Sequence, residues 1–500
     1  MSKEDSLKWL AKGALFAFIG LVLSKLLNLI YRTIIARSLG PADYGLLNIG
    51  IAIFGIAAAA STLGLNQGAE RFIGFYEGKS KQQKSVIRSS FKITLVISII
   101  SMILILLFST PLARIFSDNP KLISVFIILG LAIPAYVLLE LLISCMRGFK
   151  RMDLNTLIKQ ITEPSLKLIL TIIFLYLGLS LLGAITAYVI AIFVAFGLSF
   201  YFIQKIIPKS KEKSLSLEKK LITFSWPLVL SSVLLNLMVW IDSLMIGYFT
   251  TENLVGLYNA ASPIAALLWI PLLMFQSLFV PIISKHYAES NLKDINSIYQ
   301  TMLRWIFLLV LPLLLFMFIF SKEIIFLFFG EAYLGSITVL RILLLSYFIS
   351  SLFGPIDYIC NAFGLTKQRL LIDGSSVILA IILNIILIPI WSIEGAALAT
   401  LSAWIFLRLT FYTYLKFKVN LKLSSKKNII QYSKVIFSSI LALLISSYIF
   451  KFINIEITSI TSIGLGILFI SIYISLLLII KALTKEDLLI INSIKNKIKI

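Results

Sequence analysis

The sequence predicts an all-α integral membrane fold of about fourteen transmembrane helices. Two parallel six-helix bundles, related by a pseudo-twofold axis along the membrane normal, surround a central cavity, and two extra helices follow at the C-terminal end. Three observations carry this expectation. Of 500 residues, 59% are hydrophobic and only 14% are charged, with a mean hydropathy of +1.00, more apolar surface than a soluble interior could hide. The apolar runs have the length of helices, whereas membrane barrels use alternating segments of roughly ten residues. The chain also repeats itself at an offset of about 212 residues.

Hydrocarbon offers no water to backbone N–H and C=O groups, so each long apolar run reads as a helix. The expected spans run at 14–36, 44–65, 91–109, 121–146, 156–178, 181–204, 221–246, 255–283, 302–320, 335–360, 370–389, 394–416, 431–451 and 458–480. Only short breaks, around Gly178 and from Pro389 to Glu394, divide spans five from six and eleven from twelve. The first apolar stretch begins after Lys12 and continues without a small-residue cleavage site, unlike a removable signal peptide. About 35 of the 45 basic residues fall on one set of alternate connections and about 5 on the other, which predicts a multi-pass protein of the cell membrane with both termini cytoplasmic.

The repeat is visible in residues. NLIYRTIIARSLGPADYGLLN from Asn28 to Asn48 and NLMVWIDSLMIGYFTTENLVGLYN from Asn236 to Asn259 both begin Asn-Leu and end Gly-Leu-x-Asn. Phe108-Ser109 matches Phe320-Ser321, and Gly183-Ala184 matches Gly395-Ala396. An even number of spans per copy gives both copies the same orientation. The expected organisation is therefore a first bundle at 1–204, a basic cytoplasmic linker at 205–220, a second bundle at 221–418, a basic loop at 419–430, and two further helices with a cytoplasmic tail at 431–500. Two such bundles facing a cavity suit alternating access.

Charges inside the apolar runs mark the candidate site, because each costs roughly 2.5–3.5 kcal/mol at a helix centre on the insertion scale. Lys25, Asn28 and Arg32 share one face of the first helix, a basic stripe facing the cavity; the competing reading has Arg32 snorkelling to the interface. Glu163 and Lys167 are spaced as a helical ion pair, acid first, either functional or self-neutralising. Asp242 lies near the repeat position of Arg32, which suggests an outer gate closed by an ion pair. Glu140 and Asp357 fall close together in the repeat alignment and could couple movement to an H⁺ or Na⁺ gradient. Arg341 and Arg408 read either as further cavity cations or as buried counter-charges. A mainly basic cavity between apolar bundles suits an anionic head group, since Lys and Arg bind phosphate through charge-assisted hydrogen bonds.

Other classes fit poorly. The formal net charge of +22 resides between hydrophobic runs and not on a soluble basic surface, so nucleic acid is not an expected partner. Cys145 and Cys360 lack a metal-ligand neighbourhood and read as packing residues; no metal or cofactor is expected. The single histidine, His286, reads as an interfacial residue. GFYEGKS, Gly74 to Ser80, is one residue short of a phosphate-binding loop and follows no strand. A membrane glycan polymerase would need catalytic acids on a sizeable extramembrane loop, and the loops here are short and lysine-rich, so no enzymatic activity is expected.

The run ARSLGPADYGLLN, Ala36 to Asn48, resembles the opening signature of Wzx-type polysaccharide flippases of the multidrug/oligosaccharidyl-lipid/polysaccharide exporter superfamily. GLNQGAERFI from Gly64 and MRGFKR from Met146 extend the resemblance, which covers essentially the whole chain. It implies movement of a polyprenyl- or dolichyl-(pyro)phosphate-linked oligosaccharide from the cytoplasmic to the outer leaflet for glycan biosynthesis. It also implies a cationic cavity for the diphosphate-sugar head, with Lys25 where related lipid II flippases carry a basic residue. Partners would be that substrate, membrane lipids and glycan-assembly enzymes around a monomeric carrier. The rival within the superfamily is a multidrug or toxin cation antiporter, which has an acid-dominated cavity and usually twelve helices.

Overall fold

The computed structural model describes residues 3–207, 217–273, 275, 283, 286–287, 292–423, 426–452 and 459–482. Most of the linker expected at 205–220, the last part of span eight, the middle of the loop at 419–430, the joint before span fourteen and most of the expected tail lie outside the described residues, as do the side chains of Lys3, Lys8 and Lys12.

Every regular element among the described residues is helical, as the apolar runs predict. Among the described residues, ten helices are long and apolar enough to cross a membrane. The first, α1 (Lys3–Ser61), contains the span expected at 14–36 and most of that expected at 44–65, joined by a kink at Gly40 (φ 75, ψ 172). Glycine adopts this left-handed backbone without a Cβ clash, and the following Pro41 has no N–H to continue the ladder. The kink folds the arms together: Arg32 reaches the Tyr44 hydroxyl, a contact that twelve residues of straight helix, about 18 Å, would not allow.

Next come α2 (Leu65–Phe75), α3 (Ser80–Leu107), α4 (Ser109–Phe116) and α5 (Lys121–Gly148). The spans expected at 44–65 and 91–109 leave 66–90 as a connection. Instead, the end of α2 and the polar first turns of α3 are helical, because helical backbone satisfies itself beyond the apolar limits of a span. A short α6 (Met152–Asn155) runs through a π-helical stretch, Thr156–Thr162, into α7 (Glu163–Tyr176). The spans expected at 181–204 and 221–246 appear as α8 (Ser180–Ile206) and α9 (Glu218–Phe249), followed by α10 (Glu252–Ala265).

The remaining helices are α11 (Leu292–Ile319), α12 (Ser321–Phe329), α13 (Ile337–Leu352), α14 (Ile356–Ala362), α15 (Thr366–Val419), α16 (Lys426–Phe452) and α17 (Ser459–Ile479). The span expected at 335–360 is broken between α13 and α14, where Pro355 supplies no N–H. Spans eleven and twelve are the arms of α15, kinked at Ser392 (φ 51, ψ −129) within the expected break.

The chain divides into two compact units. One comprises Met1–Ala260 with Asp373–Ala399, so α9 packs with the helices of the first repeat; the other comprises Ala261–Ile372 with Thr400–Ile500. In the second, the ring of Phe316 on α11 stacks on Phe469 of α17 with centroids 5.5 Å apart, and the Tyr473 hydroxyl donates to the Leu308 carbonyl at 2.7 Å. In the first, the starts of two repeat-related helices meet backbone to backbone. A Cβ on Gly45 would collide with the Glu252 carbonyl, and a Cβ on Gly256 with the Pro41 carbonyl. These are the glycines that the Gly-Leu-x-Asn repeat aligns, and only a residue without a side chain fits either place.

Candidate functional site

The first compact unit gathers most of the predicted polar residues. Along the first arm of α1, Ser24, Asn28 and Tyr31 share one face. The Asn28 amide donates to the Ser24 carbonyl at 2.8 Å, which leaves its oxygen to accept from Lys167 Nζ at 2.6 Å. That ammonium also lies 4.3 Å from the ring centroid of Tyr31 and 5.3 Å from that of Tyr188. Lys167 is 7% exposed, so a buried cation rests on an amide and two aromatic faces.

The acid expected to pair with Lys167 pairs elsewhere. Glu163, also buried, lies 2.9 Å from Lys159 Nζ, and the same ammonium lies 2.6 Å from Glu140 and over the ring of Tyr136 at 4.7 Å. The π-helical stretch sets this exchange: an extra residue per turn alters which side chains of 156–167 face α5 and α1. Lys159 was not singled out in the sequence, although its i,i+4 spacing to Glu163 was there to be read. Tyr31, Tyr136 and Tyr188 were likewise missed, because rings arriving from three helices leave no linear pattern.

Arg32 and Asp242 are each held by neutral partners. The Arg32 guanidinium donates to the Tyr44 hydroxyl at 3.5 Å, and that hydroxyl donates to the Asn259 carbonyl at 3.3 Å. Asp242, 5% exposed, accepts from the Tyr258 hydroxyl at 2.5 Å and the Asn384 amide at 3.0 Å, while Asn259 donates to Ser243. The two charges expected to form a gate are therefore connected through Tyr44 and the neighbouring residues Tyr258 and Asn259. Lys25 is exposed.

Beside this network lies a cavity of about 240 Å³. Its walls come from the second arm of α1, the start of α2, and α5, α8 and α9, and Glu140 is its charged side chain. None of Lys25, Asn28, Arg32 and Lys167 lines it; Lys159 and Lys167 stand against the rings of Tyr136 and Tyr188, which do.

The second unit holds a different cluster. Arg408, 5% exposed, donates to Asp357 at 3.0 Å and to the Ser350 hydroxyl at 2.9 Å, and Arg369 reaches the other oxygen of Asp357 at 3.4 Å. Arg341 donates to the Ser321 hydroxyl at 2.8 Å and to the Phe318 carbonyl at 3.3 Å, tying α13 to the junction of α11 and α12. Of the two readings open for Arg408 and Arg341, the geometry of Arg408 is that of a buried counter-charge and that of Arg341 is a helix-end contact. His286 lies 3.9 Å from Asp294. Among the described residues, no three His, Cys, Asp or Glu side chains converge as metal ligands, and both cysteines are buried as free thiols.

Residues 10–287, more than half of the chain, match the family described as polysaccharide biosynthesis protein. The chain belongs to that family. Within it, 23% of 398 aligned residues are identical to a protein of Shigella flexneri described as an O-antigen transporter, covering 78% of this chain and 93% of the other. A protein of Haloferax volcanii described as the low-salt glycan biosynthesis flippase Agl15 is 25% identical over 468 residues, 92% of this chain and 93% of its own. Residues 227–386 of this polysaccharide biosynthesis protein also match the MatE family. Its fold is similar to that of the lipid II flippase MurJ in an inward closed conformation, with a TM-score of 0.72 at 18% identity, covering 92% of this chain and 97% of that one. The resemblance read from the Leu-Gly-Pro-x-x-Tyr-Gly element is borne out, as is the multi-helix membrane fold.

Proposed function

We propose that this chain carries a polyprenyl- or dolichyl-(pyro)phosphate-linked oligosaccharide from the cytoplasmic to the outer leaflet by alternating access, for polysaccharide or surface-glycan assembly. One observation carries the reading: cations within the apolar spans rest on neutral partners, Lys167 on Asn28 and two tyrosines and Arg32 on Tyr44. Glu163, the acid expected to neutralise Lys167, is engaged by Lys159. Positive charge without a dedicated carboxylate is poised for a phosphate, which accepts charge-assisted hydrogen bonds from both residue types. The lipid tail stays in the bilayer. The relatives described as an O-antigen transporter and a glycan flippase support the same substrate class.

The finer points belong to the same reading. The chain spans the bilayer about fourteen times, with both termini cytoplasmic by the distribution of Lys and Arg. Its repeats at 1–204 and 221–418 act as the two moving halves, a monomer suffices, and glycan-assembly enzymes supply and consume the cargo. Protonation or Na⁺ binding at Glu140 or Glu163 couples transport to a gradient.

The test is reconstitution in liposomes with a polyprenyl-pyrophosphate-linked oligosaccharide, following its accessibility to a periodate probe confined to one side. The wild type should equilibrate the glycan across the bilayer, and Arg32→Ala and Lys167→Ala should do so about 10–100-fold more slowly. A wild-type protein that leaves the glycan on its original side, or two variants that flip it at the wild-type rate, would sink the proposal. The match of 227–386 to the MatE family favours a second reading, efflux of organic cations, which predicts tetraphenylphosphonium export by the same liposomes.

A further inference from the structure

The cavity of the first compact unit differs chemically from the basic cluster behind it. Phe54, Tyr136, Tyr188 and Trp240 give it aromatic walls, and Phe54 meets the two tyrosines edge to face with centroids 5.1 and 6.1 Å apart. Asn66, Asn236 and Glu140 give it amides and a carboxylate, and among the described residues no Lys or Arg lines it. The Asn66 side-chain oxygen is buried without a hydrogen-bond partner. Such an acceptor costs stability unless something fills the place of its donor. Glu140 already carries the Lys159 ammonium at 2.6 Å, which Glu163 shares at 2.9 Å, so the carboxylate adds an acceptor to the cavity with part of its charge balanced.

Three ligand classes can be weighed against that lining. A phosphate needs charge-assisted donors, and the cations here stand behind tyrosine rings, which leaves it neutral N–H groups beside a carboxylate. An organic cation would gain from the aromatic faces but would compete with Lys159 for Glu140. A neutral sugar ring offers what the walls lack: an apolar C–H face for an aromatic plane, and hydroxyls that both donate and accept toward amide and carboxylate groups. The volume, about 240 Å³, is below the roughly 300–1,000 Å³ of sites for drug-sized ligands and suits a single ring.

We propose that this cavity is a subsite for one uncharged sugar residue of the transported glycan, with Trp240, Asn66 and Asn236 setting which sugar is accepted. The inference rests on the flippase reading and divides its cargo into two parts. The (di)phosphate is held by the Lys167 and Arg32 side of the network, and the neutral ring by the aromatic side.

Free glycosides test the subsite without a lipid carrier and without transport. The full chain in detergent is mixed with methyl glycosides of glucose, galactose, mannose and N-acetylglucosamine, and saturation transfer from protein to the sugar C–H protons is read by NMR. At least one glycoside should give a saturable signal in the millimolar range, falling fivefold or more in Trp240→Leu and in Asn66→Ala. Inorganic pyrophosphate and tetraphenylphosphonium should not displace it. Should these truncations fail to fold, Trp240→Phe and Asn236→Ser fit the same volume and should change the order of preference among the four glycosides. No signal from any glycoside, displacement by either ion, or folded variants with the wild-type signal and preference would each overturn the proposal. Glycoside binding by a protein that flips no lipid-linked glycan would sink the flippase reading and leave the subsite standing; flipping without glycoside binding would do the reverse.

Discussion

The clusters of the two compact units use the same residue types to opposite ends. Around Asp357, two guanidinium groups converge on one carboxylate, and the more buried of them, Arg408, also has the Ser350 hydroxyl. Around Glu140 and Glu163 one ammonium serves two carboxylates, and the other cations, Lys167 and Arg32, rest on amide, hydroxyl and ring partners. A guanidinium matched to a carboxylate has little left to offer a ligand. An ammonium matched only to dipoles keeps its charge for something else, at a cost in stability. The second unit's cluster is thus read as a brace and the first unit's as a binding surface.

Variants can break that contrast. The largest effect should come from Asp357→Ala, which strands Arg408 in the interior and should lower stability by about 3–5 kcal/mol. Thermal unfolding in detergent measures it, and Asp357→Ala with Arg408→Met should recover most of the loss. A single variant as stable as the wild type would remove the brace. Lys159→Met leaves Glu140 and Glu163 without their cation and should cost about 2–3 kcal/mol, less than the first case because the lysine side chain is 23% exposed. Adding Glu163→Gln should restore part of it; an unrelieved double variant would show that the lysine acts through packing alone.

Lys167→Met should separate the two roles most sharply. Flipping should slow about 10–100-fold, the equivalent of a charge-assisted contact of about 1.5–3 kcal/mol, while the unfolding midpoint stays level or rises as the buried charge is removed. A fall in stability with flipping unchanged would reverse the assignment. The smallest effect belongs to the solvent-facing pair Arg151–Asp153 at 2.7 Å, where both side chains are about half exposed. The hydrogen bonds from Arg151 hold the Asp153 carboxyl below its usual range. Its contribution, under about 1 kcal/mol, is present above the unfolded carboxylate's range near pH 4 and is lost as pH falls through the lower folded value. Unfolding midpoints of wild type and Asp153→Asn at pH 7 and pH 3 should differ slightly at the first and converge at the second.

Spans were legible because bilayer burial writes itself in composition, and the gap left between the first two of them is where the kink at Gly40 falls. The presence of a polar site was legible too, since charges in apolar runs are conspicuous. Its pairing was not. Glu163 and Lys167 have the spacing of an ion pair on a regular helix, but the π-helical stretch before them and the arrival of Asn28 and Tyr31 from α1 gave each a different partner. Likewise Arg32 and Asp242 sit near matching repeat positions, yet Tyr44 and Tyr258 take them up first. Which neutral side chain intervenes between two charges is decided by packing across helices, for which a single sequence carries no periodic signal.

The seats of Gly45 and Gly256 have a consequence for evolution. Each helix start receives from the other what it gives, the self-complementary arrangement of a two-fold homodimer, written here into one polypeptide. A methyl group at either glycine would meet a carbonyl of the opposite strand of the contact, so neither position is free to drift once the halves are fused. Long after the rest of two copies has diverged, such a joint keeps both in step.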